Sequence, residues 1–162
     1  MNNYEDNNRT YNFAYGSNML SSRMKSNYPI KEVRCPGAEL VGIARLDDYR
    51  FIISDRKQKA SVIKAPGKYV LGVLWSISKE EERTLDIKEG TNMDPPSYYK
   101  KYMDVQCNGD TIKALVYVDS SDKINKAKKP TSEYIGYIID GAIEHKINET
   151  DPYYFKELLS WK

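Results

Sequence analysis

The segment Tyr69–Ile77 constrains the fold most, because nearly all of its residues are apolar. Such a run predicts a β-strand that is buried on both faces. Six other segments have the composition of strands: Tyr11–Tyr15, Ala38–Arg45, Tyr49–Ser54, Ala60–Lys64, Tyr98–Val105 and Thr111–Val118. Turn residues predict hairpins at Asp47-Asp48 and at Asn108-Gly109, and a turn at Pro66-Gly67.

Helices are fewer than strands. The sequence predicts a short helix at Leu20–Tyr28 that Pro29 ends, one that Ser78 opens and Gly90 ends, one from Thr131 or Ser132 to about Lys146, and one at Tyr153–Trp161. Ser78 and Glu81 have the spacing of a capping box, and Gly90 is expected at positive φ. Clustered strands with few helices favour an α+β fold over a doubly wound one. Residues 11–162 are expected to form a single domain, after a disordered tail at Met1–Thr10.

Composition excludes several classes of protein. The 162-residue chain has 30% charged and 40% hydrophobic residues, which is the globular range. Its net charge of +2 and the lack of a dense basic patch argue against nucleic acid as a partner. No apolar run approaches the roughly 20 residues of a membrane span, and the polar N-terminus lacks the pattern of a signal peptide. Cys35 and Cys107 are too few for a disulfide framework or a zinc site, and are expected to be buried thiols in a reducing cytoplasm.

The first predicted strand runs into a turn that is suited to anions. Phe13–Met19 passes from apolar residues into Gly16-Ser17-Asn18, and a helix-like segment follows. A strand that ends in such a turn points several backbone N–H groups the same way, close to a helix N-terminus. Gly-Ser-Asn is also an ordinary turn, so the segment by itself supports both interpretations.

A second segment, Leu85-Asp86-Ile87-Lys88-Glu89-Gly90, decides between them. Together the two segments resemble the gamma-glutamylcyclotransferase family, which carries Tyr-Gly-Ser-Asn near the N-terminus and Leu-Asp-x-x-Glu-Gly in mid-chain. The resemblance extends over about Tyr11 to Leu159 and includes the fragments Gly42–Leu46, Ala65–Gly67, Gly72–Trp75 and Gly141–His145. It implies a small barrel-like mixed sheet flanked by helices.

The resemblance implies an enzyme that turns a γ-glutamyl amino acid into 5-oxoproline and a free amino acid. The substrate's own α-amino group attacks its δ-carbonyl carbon and closes a five-membered ring, so the protein need only hold the reacting groups and move protons. One carboxyl group between the two nitrogens can take a proton from the ammonium and give one to the leaving amine. No metal or other cofactor is implied, and the expected partner is the small γ-glutamyl substrate.

Glu89 is the residue that the resemblance implies as this proton shuttle. To exchange a proton near neutral pH, its pKa should lie near ~6–7 instead of about 4.3, and partial burial would raise it. The alternative is a surface glutamate at a helix end, although helix C-termini disfavour carboxylates. Asp86, one turn earlier, is implied to be structural, with a hydrogen bond that fixes the loop.

The resemblance also implies the substrate-binding residues. Backbone N–H groups of Tyr15–Asn18 would bind the γ-glutamyl α-carboxylate, with Gly16 expected at positive φ. Three tyrosines match the family pattern, the first of them Tyr99, or Tyr98 if the register shifts by one. The expected set is Asn12, Phe13, Ala14, Tyr15, Gly16, Ser17, Asn18, Tyr99, Tyr117 and Tyr134.

Two features depart from the family pattern. Thr91–Ser97 is longer than the usual link between the glutamate and its tyrosine, and is expected to form part of the pocket rim. Its two prolines should give it a defined shape, because each fixes φ. Lys146 stands where a helix-ending glycine is common. The only histidine, His145, is expected to favour the C-terminus of its helix instead of taking part in catalysis.

Alternative functions stay open. The chain could act on a γ-glutamyl amide of another amine, such as a biosynthetic intermediate, or bind a small acidic metabolite without catalysis. Glu89 argues against a protein that only binds an acidic metabolite, since a carboxylate in the site does not help to bind an anion. Relatives that act on glutathione carry Leu after Tyr-Gly-Ser, and those that act on γ-glutamyl-lysine links carry Tyr-Gly-Thr, so both fit Tyr15–Asn18 less well. The leaving amine and the oligomeric state, a homodimer included, are not determined by the sequence.

Overall fold

A closed barrel of five strands forms the centre of the computed structural model, which describes residues 8–26, 34–126 and 128–162. The strands are β1 (Arg9–Ala14), β2 (Glu39–Ile53), β3 (Ala60–Ser78), β4 (Tyr98–Cys107) and β5 (Asp110–Asp119). Their order around the barrel is β1-β3-β2-β4-β5, and neighbours are antiparallel except β1 and β5, whose parallel pairing closes it. With helices packed around it, this mixed barrel confirms the predicted α+β fold.

A short 3-10 helix at Ser17–Met19 follows β1. The α-helices of the described chain are α1 (Ser21–Met24), α2 (Lys79–Lys88), α3 (Ser132–Glu144), α4 (Ile147–Thr150) and α5 (Pro152–Leu159). The predicted helix at Leu20–Tyr28 overlaps α1, and its end at Tyr28 and Pro29 lies outside the described residues. Helix α4 was not predicted. None of the helices in the described part is long and apolar enough to cross a membrane.

Strands β2 and β3 form one long antiparallel hairpin, so the predicted hairpin at Asp47-Asp48 is wrong. The ladder continues on both sides of this point, where Asp48 has a φ of 64° and lies level with Pro66-Gly67. The Gly67 N–H donates to Asp48 Oδ1 at 3.0 Å, which joins the two turn-forming segments across the ladder. The turn residues therefore bulge out of the strands, and the chain reverses at residues 54–59 instead.

Two local predictions from turn and cap chemistry are confirmed. Asn108 and Gly109 have φ values of 52° and 82° and connect β4 to β5 in a tight hairpin. At the start of α2 the Ser78 hydroxyl accepts from the Glu81 N–H, while the Glu81 carboxylate accepts from the Ser78 N–H. At the start of β1 the chain is paired from Arg9 onward, inside the stretch expected to be a tail; residues 1–7 lie outside the description.

The core fills the barrel and the space beneath α3 and α5. Its largest fully buried side chains are Trp75, Phe13, Met19, Met24, Ile52, Ile53, Leu74, Ile77, Leu85, Leu115, Ile135 and Ile138. Each contributes roughly 1.5–3 kcal/mol relative to its exposed state. Ile135, Ile138, Ile139 and Ala142 of α3 are buried, as their spacing predicts, and both cysteines are buried free thiols.

The barrel's connectivity brings four chain segments to one end. Because β1 and β5 are parallel, their C-terminal ends emerge together. The antiparallel partners β3 and β4 begin at that same end, at Ala60 and Tyr98. The residues after β1, before β3, before β4 and at the end of β5 therefore lie side by side, although they are far apart in sequence.

At Gly72 of β3 the chain approaches β1 closely, and we expect Gly72→Ala to be strongly destabilising. A Cβ at this position would lie 2.4 Å from the Ala14 carbonyl oxygen and 2.8 Å from the Phe13 ring. Overpacking of this kind costs roughly 1–3 kcal/mol. Gly136 in α3 is the control, since its Cβ would meet nothing within 4 Å. Gly136→Ala should stabilise the protein by about 0.5–1 kcal/mol through helix propensity. Opposite shifts in Tm are expected, and shifts of the same sign would contradict the close approach.

Candidate active site

A cavity of about 410 Å³ lies at this end of the barrel. Its walls are the end of β1 and the turn after it, the starts of β3 and β4, the ends of β5 and α2, and parts of α1 and α3. Nearly all of the sequence-predicted residues line it: Asn12, Phe13, Ala14, Tyr15, Gly16, Ser17, Asn18, Glu89, Tyr117 and Tyr134. The two motifs, about seventy positions apart in sequence, therefore face one space.

Tyr99 is the exception, and Tyr98 takes its place. Consecutive residues of a strand point to opposite faces. Tyr99 is 48% exposed and lies outside the cavity lining, whereas Tyr98 is half-buried and lines it. The Tyr98 hydroxyl donates to the Ala60 carbonyl oxygen at 3.0 Å. The assignment to Tyr99 is corrected to the alternative register.

Glu89 owes its position to the way that α2 ends. The Gly90 N–H donates to the Ile87 carbonyl at 3.1 Å, and the Thr91 N–H donates to the Asp86 carbonyl at 3.1 Å. These are the two bonds of a Schellman motif, with Gly90 at a φ of 66° as predicted. Glu89 is the last residue before this left-handed glycine, so its side chain leaves the helix where the chain turns along the cavity.

Burial raises the pKa of Glu89 to about 7. Desolvation is the largest cause, the nearby Arg34 guanidinium opposes it, and the negative charge of Asp119 adds to it. A carboxyl group with this pKa is present in both protonation states near neutral pH, as a group that takes and returns a proton must be. The pKa of Glu89 therefore agrees with the value of ~6–7 that its expected role requires.

Asp86 does not line the cavity but supports a residue that does. Its Oδ1 accepts from the Tyr117 hydroxyl at 2.7 Å, and its Oδ2 accepts from Lys100 Nζ at 3.0 Å. Its backbone carbonyl accepts from the Thr91 hydroxyl at 3.2 Å. Asp86 thus joins β4, β5 and the end of α2, which is the structural role that the resemblance implies.

Three tyrosine hydroxyls at the cavity donate their protons in hydrogen bonds to other groups of the protein. Tyr15 donates to the Tyr117 carbonyl, Tyr98 donates to the Ala60 carbonyl, and Tyr117 donates to Asp86. Burial raises the pKa of each, so the hydroxyls stay protonated near neutral pH. A ligand in the cavity therefore meets the oxygen lone pairs of Tyr98 and Tyr117, which accept hydrogen bonds, while the Tyr15 oxygen already accepts from Ser61.

Tyr134 is arranged the opposite way. Its hydroxyl oxygen accepts from the Ala60 N–H at 2.8 Å, and among the described residues no group accepts its proton. Burial raises the pKa of Tyr134, so this proton is retained. The hydroxyl lies 3.8 Å from the place where a Cβ of Gly16 would be. Tyr134 can thus donate a hydrogen bond to a ligand atom beside the turn that follows β1.

The turn after β1 offers unpartnered polar groups. Met19 and Leu20 donate their N–H groups to the Gly16 and Ser17 carbonyls, but within the described chain no hydrogen bond leaves the N–H groups of residues 16–18. Asn18 Oδ1 is buried and without a partner in the described residues, while the Asn18 carbonyl is held by Trp75 Nε1 at 3.0 Å. A buried oxygen costs free energy when it is left unpaired, and a donor group on a ligand would satisfy Asn18 Oδ1.

The expectation of a positive φ at Gly16 is wrong, since its φ is −110°. A different constraint acts on this residue. A Cβ at this position would lie 3.2 Å from the Ala60 Cβ, so the turn is pressed against the start of β3. Close approach of two chain segments, and not the backbone dihedral, explains the glycine.

Sequence reasoning missed the basic residues of the cavity. Its lining includes Arg23, Arg34, Arg56, Lys57, Lys59 and Lys88. The lysines and arginines lie in four separate segments without a motif, so no local pattern could have found them.

The described residues include no cluster of three His, Cys, Asp or Glu side chains that could hold a metal ion. His145 ends α3 as predicted, and its Nε2 lies 2.8 Å from the Met19 carbonyl oxygen.

Comparison with known proteins identifies the family. The sequence model of the AIG2-like family matches residues 69–158, which is more than half of the chain. The chain belongs to the AIG2-like family. It is also similar to the gamma-glutamylcyclotransferases of Homo sapiens and Bos taurus, each 32% identical over 87 residues. That alignment covers 48% of this chain and 43% of each relative, so it spans less than half the length of these proteins.

Solved structures extend the similarity to nearly the whole AIG2-like chain. A gamma-glutamyl cyclotransferase superposes with a TM-score of 0.76 at 25% identity, over 93% of this chain and 86% of that one. YkqA from Bacillus subtilis superposes with a TM-score of 0.76 at 23% identity, over 94% of this chain and 54% of that one. These neighbours share the barrel and its flanking helices.

The raised pKa of Glu89 predicts a pH-dependent stability. The folded protein holds the Glu89 proton up to about pH 7, while the unfolded chain releases it at lower pH. The contribution of Glu89 to the free energy of unfolding is therefore fully present below the pKa of the unfolded chain. It is lost as the pH rises through about 7. Relative to wild type, Glu89→Gln should gain on the order of 1–3 kcal/mol near pH 8.5 and nothing near pH 4. Thermal unfolding at both pH values measures this.

Glu80→Gln provides the matched control, because Glu80 is an exposed carboxylate in the first turn of the same helix. It should show no gain near pH 8.5, since its carboxylate is solvated and favourably placed near a helix N-terminus. An equal Tm for Glu89→Gln and wild type at the higher pH would contradict the desolvation of Glu89.

Proposed function

We propose that this AIG2-like protein is a γ-glutamyl cyclotransferase, which converts a γ-L-glutamyl amino acid into 5-oxo-L-proline and the free amino acid. The observation that carries the proposal is a carboxyl group with a pKa of about 7, Glu89, in the same cavity as the Tyr15-Gly16-Ser17-Asn18 turn. The names of the similar curated proteins support the same chemistry.

The γ-glutamyl half binds at the turn after β1. Its α-carboxylate accepts hydrogen bonds from the backbone N–H groups of residues 16–18, each worth roughly 1.5–3 kcal/mol. Its ammonium donates to acceptors that the protein leaves open, among them Asn18 Oδ1 and the phenolic oxygens of Tyr98 and Tyr117. Acceptors for the ammonium and donors for the carboxylate thus line the same cavity, as an α-amino acid requires.

Ring closure then needs one bond formed, one bond broken, and two protons moved from the attacking nitrogen to the leaving nitrogen. The Glu89 carboxylate takes a proton from the substrate ammonium, and the free amine attacks the δ-carbonyl carbon. Tyr134 donates a hydrogen bond to the carbonyl oxygen as negative charge develops on it. The bond from the δ-carbon to the leaving nitrogen breaks as Glu89 returns its proton to that nitrogen. The carboxylate then passes the second proton of the ring nitrogen to the released amine, which leaves a neutral lactam, an ammonium and the original carboxylate.

Glu89→Gln tests the proposal directly. The amide keeps the shape of the side chain but cannot carry the proton, so turnover of γ-glutamyl-alanine should fall by ~10²–10⁴-fold. Release of 5-oxoproline is the measurement. In the wild type, kcat/KM should rise with pH through about 7, because the carboxylate form of Glu89 is the one that accepts a proton.

Two controls separate chemistry from folding. Glu80→Gln on the exposed side of α2 should keep wild-type turnover. Asp86→Asn should lower Tm through its bonds to Tyr117 and Lys100, with a smaller loss of turnover than Glu89→Gln. Near-normal activity of Glu89→Gln would refute the assignment of the proton shuttle. A wild-type protein that binds γ-glutamyl-alanine but releases no 5-oxoproline would instead be a binding protein.

The segment Thr91–Ser97 lies at the rim of the cavity, where it can affect the choice of leaving amino acid. The N–H groups of Met93 and Ser97 both donate to the Gly90 carbonyl, at 3.3 and 3.1 Å. The segment therefore forms a loop whose two ends lie together next to Gly90, beside Glu89. Met93 and Ser97 line the cavity, and Met93 is 60% exposed. Since the γ-glutamyl half lies at the turn after β1, the leaving amino acid is the half that reaches this rim.

Shortening Thr91–Ser97 by two or three residues should therefore change the order of preference among γ-glutamyl dipeptides with different leaving side chains. Formation of 5-oxoproline should persist, because Glu89 and the turn after β1 are unchanged. Met93→Ala is the milder companion variant, expected to weaken the preference for large apolar side chains. An unchanged order in the deletion variant would mean that this segment does not contact the substrate.

A further inference from the structure

The backbone carbonyls of the turn after β1 are all held by donors of the protein. Those of residues 16 and 17 accept from N–H groups within the turn, at 3.1 and 3.2 Å. The next two are held from outside it: Trp75 Nε1 donates to the Asn18 carbonyl at 3.0 Å, and His145 Nε2 lies 2.8 Å from the Met19 carbonyl oxygen. The turn thus combines fixed carbonyls with N–H groups at 16–18 that no described residue accepts.

His145 is the donor in its contact, because both groups that face its Nε2 are acceptors. The Met19 carbonyl oxygen lies at 2.8 Å, and Oε2 of the Glu144 carboxylate lies at 2.9 Å. Neither oxygen carries a hydrogen, so Nε2 must carry it. The imidazole ring is buried and packs edge-on against Trp75, with the ring centroids 5.8 Å apart. The ring is therefore held in one orientation with its donor on the turn.

Helix α3, which His145 ends, lies directly against the same turn. A Cβ at Gly141 would lie 2.8 Å from the Leu20 nitrogen and 2.8 Å from the Met19 Cβ. The Glu144 carboxylate also accepts hydrogen bonds from the backbone N–H and the hydroxyl of Ser21, at the start of α1. The end of α3 therefore fixes the turn from its outer side, away from the cavity lining.

The planar peptide bond carries the effect of His145 through the turn. In a trans peptide the C=O of one residue and the N–H of the next share a plane and point in opposite directions. Holding the Met19 carbonyl therefore fixes the direction of the Leu20 N–H, which donates to the Ser17 carbonyl. The Ser17 carbonyl in turn shares its plane with the Asn18 N–H. A side chain outside the cavity thus sets the direction of an open donor that belongs to the cavity lining.

Trp75 acts on the neighbouring donor in the same way. Its Nε1 holds the Asn18 carbonyl and thereby fixes the direction of the Met19 N–H, which donates to the Gly16 carbonyl. The Gly16 carbonyl shares its plane with the Ser17 N–H. Two consecutive open donors are therefore each aimed by one buried ring, and the two rings pack on each other.

We infer that His145 and Trp75 are positioning residues, which aim the backbone N–H groups of Asn18 and Ser17 at the α-carboxylate of the γ-glutamyl half. The inference rests on the proposed function for the identity of that ligand. Neither ring lines the cavity, so both act only through the turn. Loss of either donor should weaken the binding of the α-carboxylate and leave proton transfer by Glu89 unchanged.

Two ligands that differ only in the α-carboxylate test this inference: γ-glutamyl-alanine and 4-aminobutyryl-alanine. Their dissociation constants are measured by calorimetry in the Glu89→Gln background, in which γ-glutamyl-alanine stays intact. His145→Phe keeps a ring against Trp75 but has no donor. It should weaken the binding of γ-glutamyl-alanine ~5–50-fold, part of the worth of one charge-assisted hydrogen bond. Binding of 4-aminobutyryl-alanine should stay within about twofold.

Matched variants separate the donor from the packing. His145→Gln carries a side-chain amide whose N–H can replace Nε2–H, and it should recover most of the affinity. Asp140→Asn changes an exposed residue of α3 and should affect neither ligand. With Glu89 intact, His145→Phe should raise KM for γ-glutamyl-alanine and keep kcat within about twofold.

Trp75→Phe tests the second donor and should weaken the binding of γ-glutamyl-alanine selectively, as His145→Phe does. The Tm of each variant shows whether it is folded at the temperature of the assay. If His145→Phe does not fold, Trp75→Phe and His145→Gln decide the question: selective weakening by the first and near-normal affinity of the second are expected.

An equal loss of affinity for both ligands would mean that the rings only support the fold, and would overturn the inference. So would unchanged affinities in the phenylalanine variants, or a glutamine variant no better than His145→Phe. A wild type that binds γ-glutamyl-alanine but releases no 5-oxoproline would refute the proposed function alone, because the dissociation constants still test the positioning. Failure of γ-glutamyl-alanine to bind at all would overturn both.

Discussion

Parallel pairing of β1 with β5 is the contact on which the rest of the structure depends. It closes the barrel, and Asn12 of β1 supports it by donating its side-chain N–H to the Leu115 carbonyl at 3.3 Å. Closure pairs the two strands that would otherwise be the edges of the sheet, and it forces the C-terminal ends of both strands to one end of the barrel. The turn after β1 and the tyrosine at the end of β5, Tyr117, meet there for that reason.

Three carboxylates near this end show how position decides chemistry. Asp86 and Asp119 lie behind the cavity wall, where hydroxyl, ammonium and guanidinium groups donate to them. They act as anchors for Tyr117 and for the turn between β2 and β3. Glu89 is left with a desolvated carboxyl and a pKa of about 7. The fold carries the cost of that desolvation, as is common where a site needs a group that exchanges protons near neutral pH.

Features set by short-range rules could be predicted from the sequence. Caps, tight hairpins and helix ends depend on a few neighbouring residues, which explains the success at Ser78, Gly90 and Asn108-Gly109. The same rules gave a wrong hairpin at Asp47-Asp48, because turn-forming residues occur at a β-bulge as well as at a reversal of the chain. Which of the two occurs depends on whether the flanking strands keep pairing, and residues on the other strand decide that.

The sequence by itself determined the fold class, the two motifs and the identity of the residue expected to carry protons, because each is written in adjacent residues or in a resemblance between them. Tertiary structure alone decided that Tyr98 and not Tyr99 faces the cavity, since the face of a strand follows from its register in the barrel. It also decided the pKa of Glu89, because desolvation is a property of the enclosing walls. The basic residues of the cavity belong to the same class: they come from separate segments, and only barrel closure brings their charges to one place.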